Sequence, residues 1–268
     1  MKRFTIKSAV ALALMFAAVL PVMAGGKKDG KTLKVGATPV PHAEMLAEIK
    51  GVLAKKGIDL QIIEFTDYIA PNAALIAGDI DANFFQHLPY LEANAEWTTK
   101  LVSAFGVHIE PFGLYSKKYT SLDDIPDGAT IAIPNDPTNG GRALLLLADN
   151  GLIELSPDAG IEATVLDITN NSKGLKFLSL EAAQLPRSLD DVEAACINGN
   201  YALDAGLNPV NDSIIIEDAD SPYVNIVVVN KEKENDPRIK ALKQALTSAE
   251  IRDFIQNKWP DGSVVAIF

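Results

Sequence analysis

Read for where its apolar residues fall, the chain changes period again and again. Leu33-Lys34-Val35-Gly36-Ala37 is a short, mostly apolar run that predicts a strand. Past the Pro39–Pro41 turn, Met45, Leu46, Ile49, Val52 and Leu53 recur at helical spacing, and Gly57 is the stop signal. Residues 59–65 predict the next strand, after which Pro71 opens a short helix that Gly78 closes. The alternation continues through strands at 101–107, 112–116 and 130–134, the last feeding a helix over 143–149 that ends at Asn150-Gly151. Further strands are expected at 176–180, 193–197, 214–217 and 225–229, and helices at 236–247 and 249–258 finish the chain. Strands alternating with helices predict mostly parallel sheets covered on both faces. There is no internal repeat and no low-complexity linker.

The N-terminus departs from this pattern. Met1-Lys2-Arg3 and Lys7 precede an apolar run from Ala9 to Leu20 that ends in Pro21-Val22-Met23-Ala24. That is the layout of a secretory signal peptide over residues 1–24, the apolar stretch being shorter than the ~20 residues of a membrane-crossing helix. An uncleaved anchor is the alternative.

Charge and cysteine content then narrow the class. The signal carries three of the 24 basic residues and none of the 35 acidic ones, so its removal changes the net charge from −11 to −14. Nothing supplies the basic stripe that would displace counterions from nucleic acid phosphates. Cys196 is the only cysteine. It leaves no intramolecular disulfide, redox pair or cysteine-based zinc site, and in its apolar setting it reads as a buried inert thiol. An enzyme is conceivable on an α/β sheet, but no Gly-x-Ser-x-Gly elbow, metal cluster or cysteine nucleophile is visible.

Four strings carry a more specific message. EFTDYIAPNAALIAGDIDANFFQHLPY (64–90), NDPTNGGRALLLL (135–147), QLPRSLDDVEAACINGNYA (184–202) and SPYVNIVVV (221–229) lie in this order. Together they resemble the NlpA/MetQ family of methionine-binding lipoproteins, the extracytoplasmic receptors of methionine ABC importers. The resemblance implies an α/β chain with a two-lobed, type II-like periplasmic-binding-protein fold. Each lobe would be a mostly parallel sheet flanked by helices, and two crossing strands would form the hinge. The expected layout is a flexible segment at 25–32, lobe I from residues 33–111 plus 229–268, and lobe II from 112–228. The crossings fall near 111–113 and 225–230. The family's lipobox cysteine is missing, because Met23-Ala24 is followed by Gly25-Gly26. The expectation is therefore an exported protein, periplasmic or associated with the cell envelope, that is soluble once its signal is removed.

A zwitterionic amino acid with an apolar side chain needs a cation, oriented polar groups and an apolar slot. Arg142, in the passage from loop to helix, could take a carboxylate bidentately. Alone, an arginine in a helix's first turn is more often a solvated charge; the resemblance assigns Arg142 and Asn139 to the ligand's carboxylate end. Asn198 and Asn225 stand at or near predicted strand ends and by the same resemblance complete the polar half, although Asn198 also reads as a turn residue. The resemblance places Tyr68, Phe85, His87 and Tyr90 around the thioether. Core packing is the alternative for Phe85, and a metal or general-base role for His87. His42, His108 and Glu110 are weaker candidates, Glu110 facing the ammonium if its strand lines the cleft.

No cofactor or metal is expected. The implied partners are a small-molecule ligand, L-methionine first, and a membrane ABC permease/ATPase complex. Another small amino acid, D-methionine or a methionine-containing dipeptide on the same scaffold is the alternative, with an enzyme or a surface antigen more remote.

Overall fold

A computed structural model describes residues 31–218 and 221–268; the expected signal peptide lies outside the described residues. The first half runs β1 (Thr32–Ala37), α1 (Glu44–Lys55), β2 (Asp59–Glu64), α2 (Ala70–Ala77), β3 (Ala82–His87), α3 (Leu88–Glu92), α4 (Ala95–Lys100), β4 (Leu101–Ile109) and β5 (Gly113–Tyr115). It continues as β6 (Thr130–Pro134), α5 (Pro137–Asp149), β7 (Glu154–Leu155), β8 (Ile168–Asn170), β9 (Lys176–Leu180), α6 (Leu185–Ser188), β10 (Ala194–Ile197) and α7 (Gly199–Asp204). The last elements are β11 (Ser213–Ile216), β12 (Asn225–Asn230), α8 (Pro237–Leu246), α9 (Ala249–Lys258) and β13 (Val265–Ala266). β1 starts one residue inside the stretch expected to be flexible.

Two sheets organise the chain, one in the order β13-β4-β12-β3-β1-β2 and the other β11-β5-β10-β6-β9. In the first, β1 pairs in parallel with β2 and β3, whereas β12 runs antiparallel to both β3 and β4. In the second, β6 is parallel to β9 and β10, and β5 is antiparallel to β10 and β11. Each sheet thus joins βαβ-type parallel strands to strands that arrive from the other sheet. The chain passes from the first sheet to the second between Ile109 and Gly113, and returns between Ile216 and Asn225. β12, expected to be a crossing with its residues up to 228 in the second lobe, is hydrogen-bonded within the six-stranded sheet along its whole length.

The sequence explains why both faces are covered. Along β12, Val227 and Val229 enter the core under α1, α8 and α9, while Ile226 and Val228 face the opposite cluster with Leu75, Leu91 and Leu101. Alternate residues of a strand point to opposite faces, so a strand buried on both must be apolar throughout. β10 does the same in the second sheet, with Ala194 and Cys196 on one face and Ala195 and Ile197 on the other. Cys196 is fully buried, and burial pushes its thiol far above the usual range, which leaves it unreactive.

One element departs from expectation where it matters. α5 begins at Pro137, six residues before the predicted start, because the Asp136 side chain caps it by accepting from the Asn139 N–H at 2.9 Å. Asn139, Gly140, Gly141 and Arg142 are therefore helical, and Arg142 stands in the second turn rather than at the helix entry. Gly141 is tolerated there for a packing reason: a Cβ would lie 2.3 Å from the Ile161 carbonyl oxygen.

Candidate functional site

The candidate residues come from elements at the facing ends of the two sheets. Tyr68 precedes α2, Phe85 and His87 are on β3, and Tyr90 is on α3. Asn139 and Arg142 are on α5, Asn198 precedes α7, and Asn225 opens β12. All eight line one narrow cavity. Glu110 lines it too, as do three residues the sequence reading missed: Gln86, Gly199 and Asn200. Gln86 adjoins a bulge in β3. Ile226 is opposite Gln86 but Val227 is opposite Phe84, so Phe85 has no partner in the register and the strand is re-aimed. Asn200 was legible as a third carboxamide in the string Asn198-Gly199-Asn200; Gly199 is needed because a Cβ would come 2.8 Å from that of Glu110.

The aromatic wall is a contact cluster. Ring centroids of Tyr68 lie 5.8 Å from those of both Phe85 and Tyr90, and Phe85 is 6.1 Å from Tyr90. Their hydroxyls are used within the protein: Tyr68 donates to Asn200 Oδ1 at 2.5 Å, and Tyr90 to the Tyr68 carbonyl at 3.0 Å. With the polar ends tied back, the rings offer apolar surface.

His87 is held as a neutral imidazole in one tautomer. Its Nδ1 accepts from the Tyr90 backbone N–H at 3.1 Å, so Nε2 carries the proton and donates to Asn139 Oδ1 at 3.1 Å. Burial, reinforced by the nearby Arg142 charge, lowers its pKa to about 3. Asn139 Oδ1 also accepts from Asn198 Nδ2 at 2.7 Å, and Asn139 Nδ2 donates to both Asp136 oxygens. The carboxamide of Asn139 is thus filled by protein partners and orients its neighbours. Asn198 keeps a buried Oδ1 with no partner among the described residues.

Arg142 is also partly engaged. Nε donates to Glu217 Oε1 at 2.7 Å, and Nη2 to Glu217 Oε2 at 2.5 Å and to the Glu110 carbonyl at 3.1 Å. The guanidinium stacks 4.1 Å from the Tyr223 ring centroid and 5.0 Å from that of Phe112. The bidentate edge, expected to be open to a carboxylate, is therefore closed by Glu217, and among the described residues Nη1 is the donor without a protein hydrogen bond.

Opposite lies a buried network. Thr38 Oγ1 is 2.7 Å from His42 Nδ1, and His42 Nε2 is 3.1 Å from Asn225 Oδ1 and 3.4 Å from Glu110 Oε1. His108 Nε2 is 2.7 Å from the same Glu110 oxygen. Burial lowers His42 to about 4 and His108 to about 3, so both are neutral at neutral pH. Burial also raises the Glu110 carboxyl, against the pull of His42 and Arg142. Asn225 Oδ1 is thus engaged, and among the described residues its Nδ2 donates no hydrogen bond. His42, His108 and Glu110 form a donor set a metal could use, but the 2.7 Å contact is a hydrogen bond. Two ligands of a tetrahedral ion would sit about 3.3 Å apart.

A cavity between two α/β sheets that the chain connects by two crossings, with donors on one side, acceptors on another and rings on a third, defines a two-lobed solute-binding protein. The chain belongs to the NlpA lipoprotein family, whose model matches residues 33–268. It is 44% identical over 243 residues to the D-methionine-binding lipoprotein MetQ of Salmonella typhimurium, covering 89% of each chain. A nutrient binding protein from Burkholderia cenocepacia bound to methionine superposes with a TM-score of 0.84 at 48% identity, covering 88% of this chain and 100% of that one. A periplasmic substrate-binding protein of an ABC transporter from Coxiella burnetii gives 0.82 at 44% identity, covering 87% and 99%.

Proposed function

We propose that this protein captures free methionine in the cavity between its lobes and delivers it to a membrane ABC importer, acting as a receptor and not as an enzyme. The carrying observation is the cavity's polarity. Asn198 Oδ1 is an orphaned buried acceptor and Glu110 a buried carboxylate, while Arg142 Nη1 and Asn225 Nδ2 are the unspent donors. An ammonium fits the first pair and a carboxylate the second. The uncharged thioether then falls to Tyr68, Phe85 and Tyr90, where sulfur–ring contacts add about 0.3–1.5 kcal/mol each. His87 and Asn139 hold these groups in place.

In this reading the lobes are residues 32–110 with 225–268, and residues 113–216. Both crossings reach the site, Glu110 through the first and Tyr223 through the second. Ligand binding that uses both lobes favours the closed arrangement by the difference in affinity between closed and open forms. The protein works outside the cytoplasm, a reading supported by the lipoprotein names of its relatives and by its N-terminal pattern.

The test is to unfold the purified protein, identify the released small molecule by mass spectrometry, and titrate the stripped, refolded protein with it. Methionine is the expected molecule, and a chiral separation assigns its hand. Arg142→Gln should weaken its binding at least a hundredfold. Release of a dipeptide or another amino acid, or an unchanged affinity in the variant, would refute the reading.

A further inference from the structure

Arg142 is needed for the proposed ligand, yet most of its hydrogen-bonding edge is turned to the protein. Its partner, Glu217, follows β11 at the start of the return crossing and is partly buried, at 14% exposure against 4% for the arginine. The carboxylate is itself fixed. Glu217 Oε2 accepts from the Phe112 N–H at 3.2 Å, and the Glu217 N–H donates to the Phe112 carbonyl at 2.9 Å. With Tyr223 on one face of the guanidinium, the plane and rotation of Arg142 are both set.

We infer that Glu217 is a positioning and specificity-determining residue: it takes the two-donor edge of Arg142, presents Nη1 alone to the cavity, and neutralises the charge that would otherwise attract anions. The inference rests on the reading of Arg142 as the carboxylate's partner. Its consequence is selective. With Arg142 and Glu217 cancelling, the acidic group left lining the cavity is Glu110, so a zwitterion is accepted and a ligand with only a carboxylate is rejected. A guanidinium freed from Glu217 would open its bidentate edge to such an anion.

The experiment compares methionine with 4-(methylthio)butanoate, which keeps the thioether and carboxylate but lacks the ammonium. Calorimetry with wild type, Glu217→Gln and Glu217→Asp measures both ligands, and 15N spectra of arginine-labelled protein follow the Arg142 Nε–H. In Glu217→Gln, methionine should bind at least tenfold more weakly while the ratio of the two affinities shifts at least tenfold towards the anion. The Arg142 Nε–H should lose its downfield shift and its protection from exchange. Glu217→Asp keeps the charge, so it should weaken methionine without the shift towards the anion. Equal weakening of both ligands in Glu217→Gln marks a merely structural role and overturns the inference, as does an unaltered methionine affinity or an unaltered Nε–H signal. Loss of the Arg142 role itself would be visible separately, as methionine binding that survives Arg142→Gln.

Discussion

Asn139, Asn198 and Asn225 are the same residue type, yet each does something different, and hydrogen-bond capacity decides which. Asn139 spends both ends on Asp136, His87 and Asn198, whereas Asn198 keeps an orphaned acceptor and Asn225 an unspent donor. The four family strings brought all eight residues to one cavity. They could not distribute the roles, because those depend on partners such as Glu217 and His42 that lie far off in sequence. The same burial that fixes the tautomers has a pH signature. His42, His87 and His108 have folded-state pKa values of about 4, 3 and 3, below the ordinary 6.5, so the unfolded chain binds more protons as pH falls. Their contribution is full above 6.5 and is lost as pH falls towards those folded values. Glu110 and Asp136 act in the opposite sense, since their carboxyl pKa values, raised by burial, make protonation favour the folded state. Three histidines outweigh two carboxyls. Urea unfolding at pH 6 and pH 5 should show stability falling by roughly 1–3 kcal/mol over that unit, and a flat or rising profile would mean the imidazoles are not buried as neutral groups.

At the scale of elements, apolar periodicity was a dependable guide where packing is regular. The strands at 130–134 and 176–180 fall at the predicted residues, and Met45, Leu46, Ile49 and Leu53 form the buried face of α1. It was less informative for β3, whose Asn83, Gln86 and His87 break the apolar pattern although the whole strand is buried. Asn83 and Gln86 are met by each other and by Asn72, with Asn72 Nδ2 donating to Gln86 Oε1 and Gln86 Nε2 to Asn83 Oδ1, whereas His87 is met by the Tyr90 N–H and Asn139. The early start of α5 was hidden by its paired glycines, which ordinarily disfavour helix. Propensity predicts that Gly141→Ala gains about 1 kcal/mol. The 2.3 Å approach to the Ile161 carbonyl oxygen predicts the reverse, because backbone cannot yield as a flexible side chain can. Overpacking of this kind costs about 1–3 kcal/mol. Denaturant unfolding should therefore find Gly141→Ala less stable than wild type, and a stabilised variant would contradict the packing account.

Across the whole molecule, the site exists because two sheets present their ends to one another while only two stretches of chain join them. The first crossing was expected near Pro111–Gly113, and the chain leaves the first sheet after Ile109 and enters the second at Gly113. The second was assigned to β12, whose β-branched run looks like any extended segment; pairing with β3 and β4 is a non-local fact. Arg142 reaches both crossings, with the Tyr223 ring on its face and a hydrogen bond donated to the Glu110 carbonyl, which is where the proposed function puts the ligand's head. The central claim is that this junction binds a zwitterion by its two opposite charges and an uncharged tail by its rings. Calorimetric titration of the ligand-free protein with methionine and with N-acetylmethionine tests it most directly, since acetylation removes the ammonium and leaves the rest. Saturable one-to-one binding of methionine with at least a hundredfold loss for the acetylated form is the predicted result; equal affinity for the two, or no binding of methionine, would contradict it.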